Sequence, residues 1–250
     1  MLTKQITKKF SQNCVTCLKI GKSYSHEYVN NLYKAVRKYT DIDFICFTDN
    51  SEGIIDDVIT YDIESHWDVK GWWPAWSKLE MYGRDELKKY DKKIFFDLDI
   101  VIQNDITPIL EYESDWAIID TSLWKGEKYK KKYPEQATWN SSCTIYKDLT
   151  NVYDSYIADW HNHVTMYRGC DNFMWVKGFK PDYLPRWFYS YREGWDPSHY
   201  WENRVNIALN ICRPRFKYNP DFLICLFHQK PDVHELDHDN ILYKIWNDSL

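Results

Sequence analysis

Short apolar runs alternate with stretches of helical spacing through the first half of the chain. Residues 15–20 form an apolar-rich run that stops at Gly21 and reads as a strand. Residues 25–38 carry Val29, Leu32 and Val36 at the spacing that lines one helix face. A second strand is expected over 43–48, closing at Asp49-Asn50, and a short third over 57–61. A helix opens at 74–81, with Pro74 in its first turn, where a missing N–H costs little. The longest apolar run covers 94–102 and is broken only by Asp97 and Asp99; it predicts a central buried strand. Farther on, strands are expected at 116–120, 142–146 and 222–227, a helix at 152–164 and a helical turn at 171–176. The segment 188–200 is aromatic, interrupted by Gly and Pro, and reads as an ordered loop over a site. Strands alternating with helices imply an α/β fold with parallel pairing, and the two halves are expected to share one continuous sheet.

Asp97 and Asp99 carry the chemistry of this pattern. Residues two apart on a strand share a face, so both carboxylates emerge together. A buried carboxylate without a partner costs several kcal/mol, on the order of the penalty for any unpaired buried ion. Two hard oxygen ligands beyond the carboxyl end of a strand suit Mg²⁺ or Mn²⁺ with substrate phosphates, and ligands of such sheets bind at that edge. The alternative is that the pair merely ends a strand and meets a neighbouring Lys. Asp-x-Asp is also found in haloacid-dehalogenase-type phosphatases, but there a Gly-Thr follows, whereas here Ile100-Val101-Ile102 continues the apolar run. A nucleotidyltransferase would need a Gly-rich phosphate loop after its first strand, and none is present.

Composition narrows the classes. A chain of 250 residues is long enough for a large α/β core. A formal charge of −5 argues against a nucleic-acid partner. The first residues are polar, carry Lys4, Lys8 and Lys9, and lead into no apolar signal segment or membrane span; the expectation is a cytoplasmic protein. Seven cysteines, scattered in apolar runs, read as reduced core thiols. Cys14 and Cys17 have the spacing of a metal pair, but no second pair accompanies them, and core packing is the expectation. His161 and His163 are read as surface residues, and His234 and His238, with acidic neighbours, as a solvated tail. Trp and Tyr are abundant, at 13 and 20, which suits stacking on sugar faces; Trp187, Tyr191 and Trp195 are the stacking candidates.

These residues resemble the glycosyltransferases of the GT-A fold, and most of all family eight, which includes glycogenin and bacterial lipopolysaccharide galactosyltransferases. The resemblance runs from residue 14 to 231 and is carried by Lys78 ahead of the Asp97-Leu98-Asp99 segment, by Trp116-Ala117-Ile118-Ile119-Asp120, by Trp139-Asn140-Ser141-Ser142, by Gly169-Cys170-Asp171-Asn172, and by Phe227-His228-Gln229-Lys230-Pro231. It implies a single domain built on a Rossmann-like mixed sheet flanked by helices. Residues 14–105 would bind the nucleotide sugar and 106–250 the acceptor. Asp97, Asp99 and His228 would hold Mn²⁺ or Mg²⁺, Lys230 would neutralise the diphosphate, and Lys78 would contact the donor. Asp120 and Asn140 would hold sugar hydroxyls, Tyr24 would pack the nucleotide base, and Asp171 and Asn172 would lie near the reacting carbon. The donor implied is a UDP-sugar, with UDP-glucose or UDP-galactose favoured, and the acceptor a sugar or glycan.

The sequence departs from that pattern at three places. Asn172 stands for the usual Gln, Ser142 for a Gly, and the Gly between His and Lys-Pro is missing. The first two leave inversion and retention both open; the third bears on the reach of Lys230. A non-catalytic sugar-binding module with the same fold remains a competing reading.

Overall fold

The structure, a computed structural model, describes residues 13–63, 74–134, 137–196, 198, 218–228 and 230–248. At its centre β1 (Asn13–Lys19) runs parallel to β2 (Asp43–Thr48) on one side and to β4 (Lys92–Phe96) on the other. β3 (Ile59–Asp62) adds in parallel beyond β2, and α1 (His26–Arg37) connects β1 to β2. Past β4 the sheet turns mixed. β7 (Trp139–Tyr146) lies antiparallel between β4 and β6 (Trp116–Asp120), and β8 (Asp182–Leu184) is parallel to β6. The resulting order is β3-β2-β1-β4-β7-β6-β8.

Strand alternation assigns these side chains to two cores. Val15, Cys17, Phe44, Cys46, Ile94 and Phe96 face α1, whereas Cys14, Ile45, Phe47 and Phe95 face the layer of Trp76, Leu79, Tyr156 and Phe173. Cys14 and Cys17 thus point to opposite faces, are both fully buried, and pack as apolar thiols. Much of the aromatic excess fills these cores: Trp76 stacks on Tyr156 at 5.8 Å, and Trp139 meets Trp175 edge-on at 5.0 Å.

The seven-stranded sheet joins both halves of the chain as expected, but the apolar run 94–102 is not one strand of it. β4 ends at Phe96, the chain turns through Asp97-Leu98-Asp99, and β5 (Ile100–Ile102) begins a second, three-stranded sheet. In it β10 (Ile224–Leu226) is antiparallel to β5 and parallel to β9 (Phe188–Ser190). The turn is pinned from both sides. Asp97 donates its N–H to Ser142 O at 2.9 Å, and Asp99 O accepts from Phe227 N–H at 2.8 Å. Apolar periodicity is blind to such a switch because both strands are buried throughout.

Other elements shift in smaller ways. A turn of 3₁₀ helix (Pro74–Trp76) leads into α2 (Ser77–Met81), and α3 (Thr107–Leu110) follows β5. α4 (Ser122–Lys132) carries the lysine run and is interrupted at Gly126, φ 70°. The helix expected at 152–164 is two, α5 (Thr150–Ile157) and α6 (Trp160–Met166), separated at Asp159, whose backbone (φ −152°, ψ 47°) is not helical. His163 is not a surface residue: it is 4% exposed, and its Nδ1 bonds Tyr156 O at 3.0 Å. α7 (Cys170–Val176) begins as expected. Residues after 230 are no solvated tail, because a 3₁₀ turn (Val233–Glu235) and α8 (Ile241–Trp246) pack Val233, Leu242 and Trp246 against α1 and the small sheet. His238 is exposed and stacks on Tyr243 at 4.6 Å. No helix among the described residues is long and apolar enough to cross a membrane.

Candidate active site

The carboxyl edge of the parallel strands gathers most of the residues singled out above. β7 is antiparallel, so its first residues meet the end of β4: Phe96 pairs with Cys143, and Asp97 follows. On the other side of β7, Asp120 at the end of β6 pairs with Trp139. Between Ile118 and Ile119 the register jumps from Thr144 to Asn140, an irregularity that leaves Ser141, Ser142 and Cys143 unpaired with β6. Irregularities of this kind re-aim side chains next to functional sites. Here Ser141 is turned toward two charged groups. Its Oγ accepts from Lys78 Nζ at 3.1 Å, and its N–H donates to Asp171 Oδ2 at 3.4 Å. The α7 end is held further by Trp139 Nε1, which donates to Asp171 O at 3.3 Å. Sequence reasoning passed over Ser141; its adjacency to Asn140 was the available signal.

Lys78 is the electrostatic centre. Only 7% exposed, its ammonium lies 2.7 Å from Asp97 Oδ1 and 2.8 Å from Oδ2. Burial pulls its pKa down, but Asp97, with Cys170 and Asp171, more than compensates, and the lysine is held above its ordinary value. The alternative noted above, a carboxylate meeting a Lys, therefore describes Asp97; it does not describe Asp99. Asp99 has the Tyr24 hydroxyl as donor, at 3.3 Å, and burial together with the Asp97 charge pushes its carboxyl up to about 7. Asp171 is also raised, by burial against the pull of Lys78 and Ser141. Tyr24 is raised by burial and by Asp99, so it stays a donor. Three carboxylates thus surround a single buried ammonium, and one of them is poised to lose its proton near neutrality.

The remaining candidates sit around this centre. Asp120 accepts from the N–H and hydroxyl of Ser122 and lies 3.9 Å from Lys130. Asn140 Oδ1 accepts from Ser142 N–H at 2.9 Å, and Asn172 Oδ1 from Arg168 N–H at 3.2 Å. His228 Nε2 is 3.1 Å from Ser190 Oγ, and its ring stacks on Trp124 at 5.8 Å. Its ligand atoms do not join those of Asp97 and Asp99 within 4.8 Å. Among the described residues, the cluster that meets that spacing is Asp232, His234 and Glu235. Lys230 pairs with two of these, Asp232 and Glu235, the latter at 2.8 Å. His234 in turn bonds the Tyr28 hydroxyl, and the Tyr28 ring lies 4.8 Å from that of Tyr24.

The stacking candidates are partly spent. Tyr191 is 4% exposed and stacks on Phe227 at 4.4 Å, so it belongs to the core. Trp187 and Trp195 are half-buried against Tyr112 and Tyr189. Residues 197, 199 and 200 of the expected loop, and Gln229, lie outside the described residues.

No family model and no curated relative matches the sequence. Solved structures do. The chain is similar to the galactosyltransferase LgtC in complex with donor and acceptor sugar analogues, at 13% identity over 94% of this chain and 96% of that one, TM-score 0.56. It is also similar to the glycosyltransferase GlyE of Streptococcus pneumoniae TIGR4, at 12% identity over 94% of this chain and 60% of that one, TM-score 0.59. The apo form of GlyE gives 12% identity, 95% and 59% coverage, and a TM-score of 0.60. At this identity the likeness is one of fold: the chain has the single-domain GT-A fold that the motifs implied.

Proposed function

We propose that the protein is a metal-dependent glycosyltransferase that moves a hexose, glucose or galactose, from a UDP-sugar to a sugar or glycan acceptor. The observation that carries this reading is the Lys78–Asp97–Asp99–Asp171 group at the carboxyl edge of a GT-A sheet. A divalent cation fits the donor set. Asp99 is a carboxyl whose charge is resisted by its own surroundings, and a nearby dication would reverse that. Asp97 and Asp99 would supply hard oxygens; His228, set apart from them here, would have to move in to add an imidazole nitrogen, a mixture that Mn²⁺ accepts. Once bound, such an ion stabilises charge developing on a leaving diphosphate as a Lewis acid.

The chain's own residues do the rest. Lys78, fixed by Asp97 and Ser141, presents a buried cation to the donor without having to be reorganised. Tyr24 orients Asp99 through its hydroxyl. Asp120 and Asn140, at the ends of adjacent strands, offer acceptors to sugar hydroxyls. Lys230 would have to exchange Asp232 and Glu235 for the diphosphate, which its exposure permits. Inversion would use Asp171 to take the proton of the acceptor hydroxyl; a front-side retaining route would set Asn172 against the anomeric carbon. The anomeric signal of the first-formed product tells them apart.

Thermal-shift screening of nucleotide sugars with and without Mn²⁺ tests the reading, because a ligand that binds only the native state raises its melting temperature. A UDP-hexose that stabilises the protein only with Mn²⁺, and is then hydrolysed slowly or transferred to a glycan, is the expected result. Phosphate release from a simple phosphomonoester, with no response to any nucleotide sugar, would replace it with the phosphatase reading. Mn²⁺-dependent binding with neither hydrolysis nor transfer would leave a sugar-binding module.

A further inference from the structure

The opposite edge of the sheet holds a cavity of about 710 Å³. It lies where β1 and β4 begin and antiparallel β7 ends, so Asn13, Lys92, Lys93 and Tyr146 border it. The volume is in the range of about 300–1,000 Å³ that small-molecule sites occupy. In a protein of net charge −5, this cavity is lined by five cations, Arg84, Lys88, Lys92, Lys93 and Lys147, against three carboxylates.

Those cations are not equivalent. Lys92 is buried but already paired, with Glu113 at 3.2 Å. Arg84, Lys88 and Lys147 pair with Glu86, Asp85 and Asp115, and these pairs are partly or fully exposed, of the kind that contributes little and exchanges readily. Lys93 differs. Only 6% exposed, it donates to Lys147 O and faces the Tyr146 ring at 6.0 Å, but it makes no ion pair among the described residues. Burial depresses its pKa, and the acidic groups near it, the Cys14 thiol, Asp148 and Asp91, offset this only in part. An ammonium has three donors, and one here goes to a neutral carbonyl. A buried lysine with no carboxylate partner among the described residues, at the wall of a roomy cavity, is a group that an anion would stabilise in its charged form.

We propose that this cavity is a second binding site, for a phosphate-bearing small molecule whose phosphate oxygens lie against Lys93 with Lys147 and Lys88 beside it. Lysine clusters meet a tetrahedral phosphate as point charges, without the planar fork that arginine uses for carboxylates. Tyr82, Tyr90 and Leu87 line the same cavity and give a sugar or base an apolar wall. The site is independent of the transferase reading, since it shares no residue with the Lys78 centre.

Inorganic phosphate, a hexose 1-phosphate and UMP, each titrated in EDTA to silence any metal-dependent donor binding, provide the test. Phosphate should raise the melting temperature of the protein and shift the side-chain NMR signal of Lys93. Lys93→Met should weaken phosphate binding by about tenfold or more, the loss expected for one charge-assisted hydrogen bond. Should that variant fold poorly, Lys88→Gln with Lys147→Gln removes two exposed cations and should weaken binding in the same direction. Tighter binding of the hexose phosphate or UMP than of phosphate identifies an organic phosphate as the occupant; equal binding identifies the free anion. No response of the native protein to any of the three, or an undiminished response in the substituted proteins, would overturn the proposal.

Discussion

Lys78 is the side chain on which the candidate site balances. Removing one partner of a buried ion pair costs about 3–5 kcal/mol, because the other charge stays buried. Lys78→Met should therefore destabilise the metal-free protein, by less than that amount because the Asp97 side chain is 22% exposed and partly reaches water, while keeping its shape. Mn²⁺ should restore more melting temperature in this variant than in the native protein, since the ion replaces a lost positive charge beside Asp97 and Asp171. Transfer should fall about 10²–10³-fold, the effect of losing one preorganised charge stabiliser. A loss under tenfold would remove Lys78 from the mechanism.

Asp99 makes a separate, pH-dependent prediction. Its carboxyl titrates near 7 in the folded chain against an ordinary 3.8, so the native state binds its proton more tightly than the unfolded state does. The stability gained from that proton is full below the unfolded value and is lost as the pH rises through the folded one. Without divalent ion, Asp99→Asn should melt close to the native protein at the acid end of that window and progressively above it toward the neutral end. A constant difference between the two, measured by calorimetry in EDTA, would show that Asp99 is not a strained carboxylate. The pair was legible in the sequence because two charges inside an apolar run have few explanations. Ser141 and the Tyr28–His234 contact were not, since each depends on a partner distant in sequence.

At the scale of elements, β1 and β2 were legible to within two residues, because burial on both faces leaves mostly apolar runs. The switch of sheet at Asp97–Asp99 was not. Neither was the break of register in β7, which adds residues without altering hydrophobicity. Both irregularities fall at the candidate site, where local rules are expected to fail. Gly169 shows how backbone geometry serves the same place. It caps α7 with φ 118°, and a Cβ there would meet nothing within 4 Å, so Gly169→Ala is opposed by conformation alone. The cost should be about 1–3 kcal/mol, and relief of the strain should turn Asp171 away from Ser141. We expect the melting temperature and kcat to fall together; a stable variant of full activity would separate α7 from the chemistry.

For the molecule as a whole, the motifs in their order carried the resemblance to the GT-A fold, while charge and aromatic content bore only on the class of partner. The cavity on the opposite edge was invisible to pattern, because its lysines sit in short, unrelated polar stretches. The central claim is that Asp97 and Asp99 grip a divalent ion that in turn holds the diphosphate of a sugar donor. Calorimetric titration of UDP into the native protein and into Asp97→Asn and Asp99→Asn, with and without Mn²⁺, tests it most directly. The account predicts that Mn²⁺ tightens UDP binding by tenfold or more in the native protein, roughly 1.4 kcal/mol, and has no effect in either variant. Equal UDP affinity in Mn²⁺ for the native protein and both variants would contradict it.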